Sequence, residues 1–225
     1  MQDNKNYFIE VDQITVYRHE FLVLNNVSLK INLGEWIYFL GPTGSGKSSL
    51  LQTLYGVLPL KEGSARVDDL ILQDLNFETL PFLRRKLGIV SLDFELLEHL
   101  NIEENLDFVL RATDWIDPER RKNRIDQVIQ LLHLDKMRLQ KAHELSKLNY
   151  VRALIARALL NQPSLLLVDE PTSMLDAEAT DDILTFLYSF SQASKTTVLF
   201  ATNTPKITKS FPGKIHYFEN GQVSI

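Results

Sequence analysis

The stretch Gly41-Pro42-Thr43-Gly44-Ser45-Gly46-Lys47-Ser48 decides the fold of this chain. It lies between the apolar run Trp36 to Leu40 and a helical pattern that begins at Ser48. Its spacing fits GxxxxGK[ST], in which glycines let backbone N–H groups surround a phosphate at the positive end of a helix. Lys47 is expected to neutralise the β- and γ-phosphates, and Ser48 to bind Mg²⁺. The stretch predicts a loop that binds ATP or GTP; the alternative is a Gly-rich turn without a ligand.

A second apolar run, Leu165 to Val168, is followed by two adjacent acids, Asp169 and Glu170. In enzymes with a phosphate loop, such a strand holds the metal at its far end. We expect Asp169 to bind Mg²⁺, partly through water, and Glu170 to accept a proton from the water that attacks the γ-phosphate. The alternative is a strand that ends in two solvated acids.

The apolar patterns predict two kinds of strand. Phe8 to Tyr17 and Phe21 to Ile31 alternate apolar and polar residues, as half-buried antiparallel strands do. Asn220-Gly221 predicts a hairpin near the C-terminus. Short, nearly all-apolar runs are typical of parallel strands covered on both faces: Trp36 to Leu40, Leu87 to Val90, Leu165 to Val168 and Thr197 to Ala201. We therefore expect an α/β fold, with a parallel core sheet and an antiparallel subdomain built from the two chain ends.

The region between Asp93 and Lys147 shows no strand pattern. Ile102 to Ala112 and Arg124 to Leu134 space their apolar residues helically, and Asp117-Pro118 is a typical helix start. No repeat or Gly/Ser linker interrupts the chain. The sequence therefore predicts a single domain over residues 1–225, with a helical subdomain at about 93–147.

The composition narrows the classes of partner. Asp and Glu outnumber Lys and Arg by 29 to 24, which offers no general attraction to nucleic acid. The chain has no cysteine, and its longest apolar runs are far shorter than a membrane span. We expect a soluble chain that binds no nucleic acid and meets the membrane only through a partner.

With both motifs in place, the chain is similar over nearly its full length to the nucleotide-binding subunits of ATP-binding-cassette (ABC) systems. The resemblance implies an ATPase with ATP and Mg²⁺, in which Glu170 and Lys47 are catalytic and Ser48 and Asp169 bind the metal. It also implies that Tyr17 stacks on adenine, unless it only packs on its own strand, and that Asp176 reaches across a dimer interface. The implied nucleotide contacts are Tyr17, Gly41, Pro42, Thr43, Gly44, Ser45, Gly46, Lys47, Ser48, Ser49, Ser146, Asp176 and Asn203.

Within that family, the segments Leu80 to Val90, Asp93 to Leu97 and Glu104 to Thr113 resemble the cell-division ATPases of the FtsE type. This implies a homodimer at the cytoplasmic face of a bacterial plasma membrane, beneath an FtsX-like integral membrane subunit, which couples ATP to cell-wall remodelling. ATPases that export lipoproteins or drugs share much of the pattern and remain an alternative. The partner surface is expected at Phe94 to Leu106, with exposed apolar residues Phe94, Leu96 and Leu97.

Three elements depart from the family pattern around the γ-phosphate. Leu92 stands where the family has a glutamine, and Asn203 stands where it has a histidine. The signature segment, normally Leu-Ser-Gly-Gly followed by Gln or Glu, reads Leu145-Ser146-Lys147-Leu148-Asn149. Side chains at these glycine positions are expected to obstruct the approach of backbone N–H groups to a phosphate.

These departures predict good binding of ATP with slow or partner-dependent hydrolysis. Alternatively, Asp93 or Lys147 compensates and restores ordinary activity. A third possibility is a nucleotide-dependent scaffold that needs little turnover. A heterodimer, in which another subunit supplies intact signature glycines, also stays open.

Overall fold

The computed structural model describes residues 7–225. By the density of contacts the chain divides into two compact units: the segment up to Arg84 together with Tyr188–Ile225, and Arg85–Leu187. The strands are β1 (Ile9–Arg18), β2 (Phe21–Ile31), β3 (Trp36–Leu40), β4 (Glu62–Val67), β5 (Leu70–Ile71), β6 (Leu87–Ser91), β7 (Leu165–Asp169), β8 (Thr197–Thr202), β9 (Lys214–Glu219) and β10 (Gln222–Ser224). The α-helices are α1 (Lys47–Leu54), α2 (Leu80–Lys86), α3 (Ile102–Ala112), α4 (Pro118–Leu131), α5 (Lys147–Leu159) and α6 (Ala177–Ser194).

An antiparallel sheet in the first unit has the strand order β2-β1-β4-β5. The predicted pair, β1 and β2, is confirmed. Ile9, Val11 and Ile14 are buried, and an irregularity in the pairing between Val11 and Ile14 interrupts the alternation. The third strand, β4, pairs with β1 and was missed because its sequence, Glu62 to Val67, is largely polar.

A second sheet in the same unit contains β10, β9, β3 and β8 in that order. β3 runs parallel to both β8 and β9, and β3 and β8 are buried along their whole length, which explains their nearly all-apolar sequences. The predicted hairpin, β9 with β10, is confirmed. However, it joins β3 and not β1. The predicted antiparallel subdomain is therefore confirmed for the N-terminal strands, but the prediction that the C-terminal hairpin belongs to it is wrong. A turn signal identifies which strands pair across it, but not which sheet they join.

The second unit combines one parallel strand pair with most of the helices. β6 and β7 pair in parallel, and Gly88 lets β6 approach α5, since a Cβ at that position would lie 2.5 Å from the carbonyl oxygen of Ala158. α3 begins at a capping box formed by Asn101 and Glu104. α4 begins after Asp117, as predicted. No helix within residues 7–225 is long and apolar enough to cross a membrane.

Candidate nucleotide-binding site

The loop between β3 and α1 has the backbone shape that its glycines predict. Gly44 and Gly46 adopt φ values of 81° and 104°, in the left-handed region that favours glycine. A Cβ at Gly46 would lie 2.4 Å from Cδ2 of Leu24, so this position also lacks space for a side chain. Residues with side chains could not adopt this turn without strain.

Several hydrogen-bond donors of this loop have no acceptor among the described residues. The amide N–H groups of Gly44, Gly46 and Ser48 make no hydrogen bond with other residues in the described range 7–225. The Ser45 hydroxyl is buried and likewise has no partner there. An added Cβ at Gly44 would meet no atom within 4 Å. Several unsatisfied donors beside open space at the start of a helix fit a phosphate.

Lys47 is held inside the loop and is only 4% exposed. Its Nζ donates to the carbonyl oxygens of Gly41 and Pro42, each at 2.9 Å. A buried ammonium group is costly unless acceptors surround it, so these carbonyls stabilise the charge within the turn. The side chain therefore brings a positive charge to the loop that also carries the open N–H groups.

Neighbouring strands support the loop. The Gly41 N–H donates to the carbonyl oxygen of Thr202 at 3.3 Å, and a Cβ on Gly41 would lie 2.2 Å from the carbonyl oxygen of Phe218. Asn203, which follows β8, donates from Nδ2 to Oγ1 of Thr43 at 3.4 Å. The structure thus brings Asn203 to the phosphate loop. Tyr17 is half-buried near the end of β1, in the same unit.

The two acids lie at a strand end in the second unit. Ser91 and Asp169 are opposite each other in the parallel pair of β6 and β7, so Leu92 and Glu170 follow at neighbouring strand ends. Glu170 has a φ of 44°, an unusual conformation for a residue with a side chain. Strained backbone of this kind is often found at functional sites. Leu92 is half-buried and brings no polar atom to this edge.

The signature segment forms the start of α5. Ser146 is the N-cap, and its Oγ accepts from the N–H of Asn149 at 3.3 Å. Lys147 and Leu148 occupy the first two helical positions. The side chain of Lys147 is exposed, and that of Leu148 is half-buried. Asp176 is exposed, and its Oδ1 accepts from the N–H of Ala179 at 2.9 Å at the start of α6. The nucleotide-contact roles of Ser146 and Asp176 stay predictions.

The predicted partner surface needs correction. Phe94 is 39% exposed, as expected, but Leu96 is only 3% exposed, so its predicted exposure is wrong; Leu97 is half-buried and not fully exposed as predicted. The backbone of this segment is bonded to the helices around it, which turns Leu96 inward. Sequence reasoning missed two residues that make such bonds, Tyr150 and Arg157. The one available signal was their spacing of two turns along α5.

Comparison with known proteins agrees with this geometry. The family model described as "ABC transporter" matches residues 24–173. The chain belongs to the ABC transporter family. It is 32% identical to the cell division ATP-binding protein FtsE of Streptococcus pneumoniae (strain D39), with 94% of this chain and 91% of that protein covered. It is 31% identical to the methionine import ATP-binding protein MetN of Clostridioides difficile (strain 630), with 96% and 67% covered.

Solved ABC cassettes share the fold. The dimeric post-hydrolysis structure of the ATP-binding cassette MJ0796, bound to ADP and Pi, has a TM-score of 0.86 and 28% identity. The alignment covers 96% of this chain and 97% of that one. The predicted family and fold class are therefore confirmed for this ABC cassette. FtsE and MetN match at nearly the same identity, so the comparisons establish the family and not the subfamily.

Proposed function

We propose that this ABC cassette binds MgATP as one subunit of an FtsEX-like membrane complex, and that it hydrolyses ATP slowly or only with its partner. The phosphate loop carries the proposal, because three N–H groups without a partner among residues 7–225 and a buried Lys47 suit a nucleoside triphosphate. The residues that we expect to slow hydrolysis are others: Leu92, Lys147 and Leu148.

In the bound state the phosphate loop supplies most of the contacts to the nucleotide. The N–H groups of Gly44, Gly46 and Ser48 bind phosphate oxygens, and Lys47 turns from its loop carbonyls toward the β- and γ-phosphates. The hydroxyl of Ser48 and the carboxylate of Asp169 are oxygen donors of the kind that Mg²⁺ prefers. When bound, the metal neutralises charge that develops on the transferred phosphoryl group. Tyr17 offers an aromatic face to the adenine.

Hydrolysis is the weaker function in this proposal. Glu170 accepts a proton from the attacking water. Leu92 offers no polar atom where a glutamine side chain helps in the family, and Asn203 donates one hydrogen bond but carries no charge. Loss of one preorganised donor typically costs about 2.7–4 kcal/mol in the barrier. Such costs are not additive, but together they support a slow basal rate.

The partner assignment rests on resemblance. Segments within residues 80–113 resemble FtsE-type ATPases, and the identity to pneumococcal FtsE is 32% over most of both chains. An FtsX-like membrane subunit is the partner that this implies, with the cassette as a homodimer; the dimeric form of MJ0796 supports the latter. The similar identity to MetN favours a second candidate, the ATPase of an import complex. Both candidates place the cassette peripherally at the cytoplasmic face of a bacterial plasma membrane.

The test compares ATP affinity with ATP turnover, for the cassette alone and with its co-purified membrane subunit. We expect clear MgATP binding, and turnover of the isolated cassette far below the roughly 10 per second that is typical of enzymes. The partner is expected to raise that rate. Turnover of tens per second without a partner would refute the proposal of slow hydrolysis, and identification of the co-purified subunit decides between a division complex and an importer.

Two variants distinguish a scaffold from an ATPase that needs turnover. Glu170→Gln removes the proposed proton acceptor, while Lys47→Ala removes nucleotide binding. An ATPase that needs turnover loses its cellular function in both variants. A scaffold tolerates Glu170→Gln and fails only with Lys47→Ala.

A further inference from the structure

The loop between β6 and α3, residues 92–101, is bonded to α5 at its centre. Arg157 donates from Nη1 to the carbonyl oxygen of Glu95 at 2.9 Å and from Nη2 to that of Phe94 at 2.5 Å. The hydroxyl of Tyr150 accepts from the N–H of Leu96 at 3.2 Å. Tyr150 and Arg157 are two helical turns apart, so they lie on one face of α5. Three consecutive loop residues are therefore attached to one helix.

Helix α3 holds the following part of the same loop. Asn105 is 4% exposed, and its Oδ1 accepts from the N–H of Leu97 at 2.7 Å. Its Nδ2 donates to the carbonyl oxygens of Leu97, Leu100 and Asn101, at 3.1, 3.2 and 2.9 Å. The loop is thus held by side chains from two helices. Its position is set by α5 and α3 together.

The attachment to α5 uses the charged group of a half-buried residue, Arg157. Burial lowers the pKa of Arg157 from its ordinary value, because desolvation disfavours the charged form. No carboxylate within residues 7–225 forms an ion pair with Arg157, and the loop carbonyls take that place. Breaking these bonds would leave a half-buried charge without its two carbonyl acceptors, which is unfavourable. The loop and α5 should therefore move together.

This attachment joins two places that matter for the nucleotide. At one end of α5 lie Ser146 and Lys147, in the signature segment. At the start of the loop lies Leu92, beside the strand end that carries Asp169, and Phe94 is exposed two residues later. We infer that Tyr150 and Arg157 are positioning residues, which hold the loop of Leu92 and Phe94 at a fixed place relative to the N-terminus of α5.

The kinetic consequence rests on the proposed function. A partner bound at Phe94 would displace the signature segment through Tyr150 and Arg157, and would change turnover without changing ATP affinity. We expect Tyr150→Phe and Arg157→Lys each to lower partner-stimulated kcat about fivefold, the value of one hydrogen bond, with the Kd for ATP within about twofold of the parent. Equal loss of affinity and kcat, or unchanged stimulation, would contradict this.

Matched controls exist within the chain. Arg152→Lys changes the same residue type on the same helix, but Arg152 pairs with Asp182 and not with the loop. Tyr217→Phe removes an exposed hydroxyl from β9. Both controls should keep partner stimulation at the parent value.

A second measurement needs neither partner nor nucleotide. The chain has no cysteine, so Glu95→Cys with Lys147→Cys gives two unique sites for spin labels, both on exposed side chains. We expect a narrow distance distribution, and a clearly broader one when Tyr150→Phe and Arg157→Lys are added. An equally narrow distribution in that variant overturns the positioning role. If the parent cassette fails to bind ATP or to respond to its partner, the proposed function fails, and the distance measurement still decides the role of Tyr150 and Arg157.

Discussion

The phosphate loop and the signature segment each lead into the N-terminus of a helix, but they differ in how many backbone N–H groups stay available to a ligand. Before α1, glycines with positive φ leave the N–H groups of Gly44, Gly46 and Ser48 without partners in the described chain. At α5, Ser146 caps the N–H of Asn149, and Lys147 and Leu148 add side chains in the first turn. The first terminus is shaped to receive an anion, whereas the second satisfies one of its donors internally and places bulk beside the others. This difference is the physical basis of our proposal that the cassette binds ATP but hydrolyses it slowly.

The largest expected effect comes from adding a methyl group to the open terminus. Gly46→Ala must place its Cβ against Leu24 while keeping a φ of 104°. We expect about 100-fold weaker ATP binding, because the donors lose their arrangement, and a loss of about 1–3 kcal/mol in the free energy of unfolding. Titration with ATP and thermal unfolding measure the two effects.

Gly34→Ala is the matched control for that variant. Gly34 also has a positive φ, 79°, but the nearest atom to an added Cβ is 3.6 Å away and the position lies outside the phosphate loop. It should lose some stability and no ATP affinity. If Gly46→Ala bound ATP as tightly as Gly34→Ala, the loop would not be the binding element.

A smaller effect should follow from removing the side chains at the N-terminus of α5. Lys147→Gly combined with Leu148→Gly removes the side chains from the first turn of α5 and should raise turnover of the complex about tenfold or more, with unchanged ATP affinity. α5 should lose up to about 1 kcal/mol per glycine. Steady-state ATPase assays with the partner present provide the measurement.

Alanine at the same two positions distinguishes the effect of side-chain length from the effect of the Cβ atom itself. Lys147→Ala with Leu148→Ala shortens both side chains but keeps each Cβ, so it should recover less activity than the glycine pair. If neither pair raises turnover, the signature segment is not what limits hydrolysis.

The smallest effect concerns pH and the strands that carry the phosphate loop. His216 is 2% exposed and lies opposite Phe39 of β3, while the other histidines are exposed. Burial, helped by Lys214 and opposed by Glu35, lowers the pKa of His216 below its ordinary 6.5. The unfolded chain therefore binds the proton first, and stability is lost as pH falls below about 6.5, with a slope of at most about 1.4 kcal/mol per pH unit.

Unfolding in denaturant between pH 7.5 and 5.5 measures this dependence. His216→Phe should flatten it, whereas His143→Phe, near the signature segment, should not. An unchanged slope in His216→Phe would assign the effect to other groups.

Much of the fold could be predicted because local patterns were strong. The bounds of β3 and α3 match the sequence predictions, since an all-apolar run and a regular helical repeat each identify one element. β4 escaped prediction because a largely polar segment becomes a strand only through its pairing with β1. The sequence predicts an exposed Leu96 because it does not reveal that Tyr150 accepts from the N–H of Leu96 and Asn105 from the N–H of Leu97.

The sequence by itself determined the phosphate loop, the acidic strand end and the three altered elements, because glycine, lysine and carboxylate act there through their own chemistry at fixed spacing. Tertiary structure alone decided which donors stay open, which sheet the C-terminal hairpin joins, and how the loop after β6 is held to α5. These depend on hydrogen bonds between residues far apart in the chain, and a linear pattern does not encode such partners.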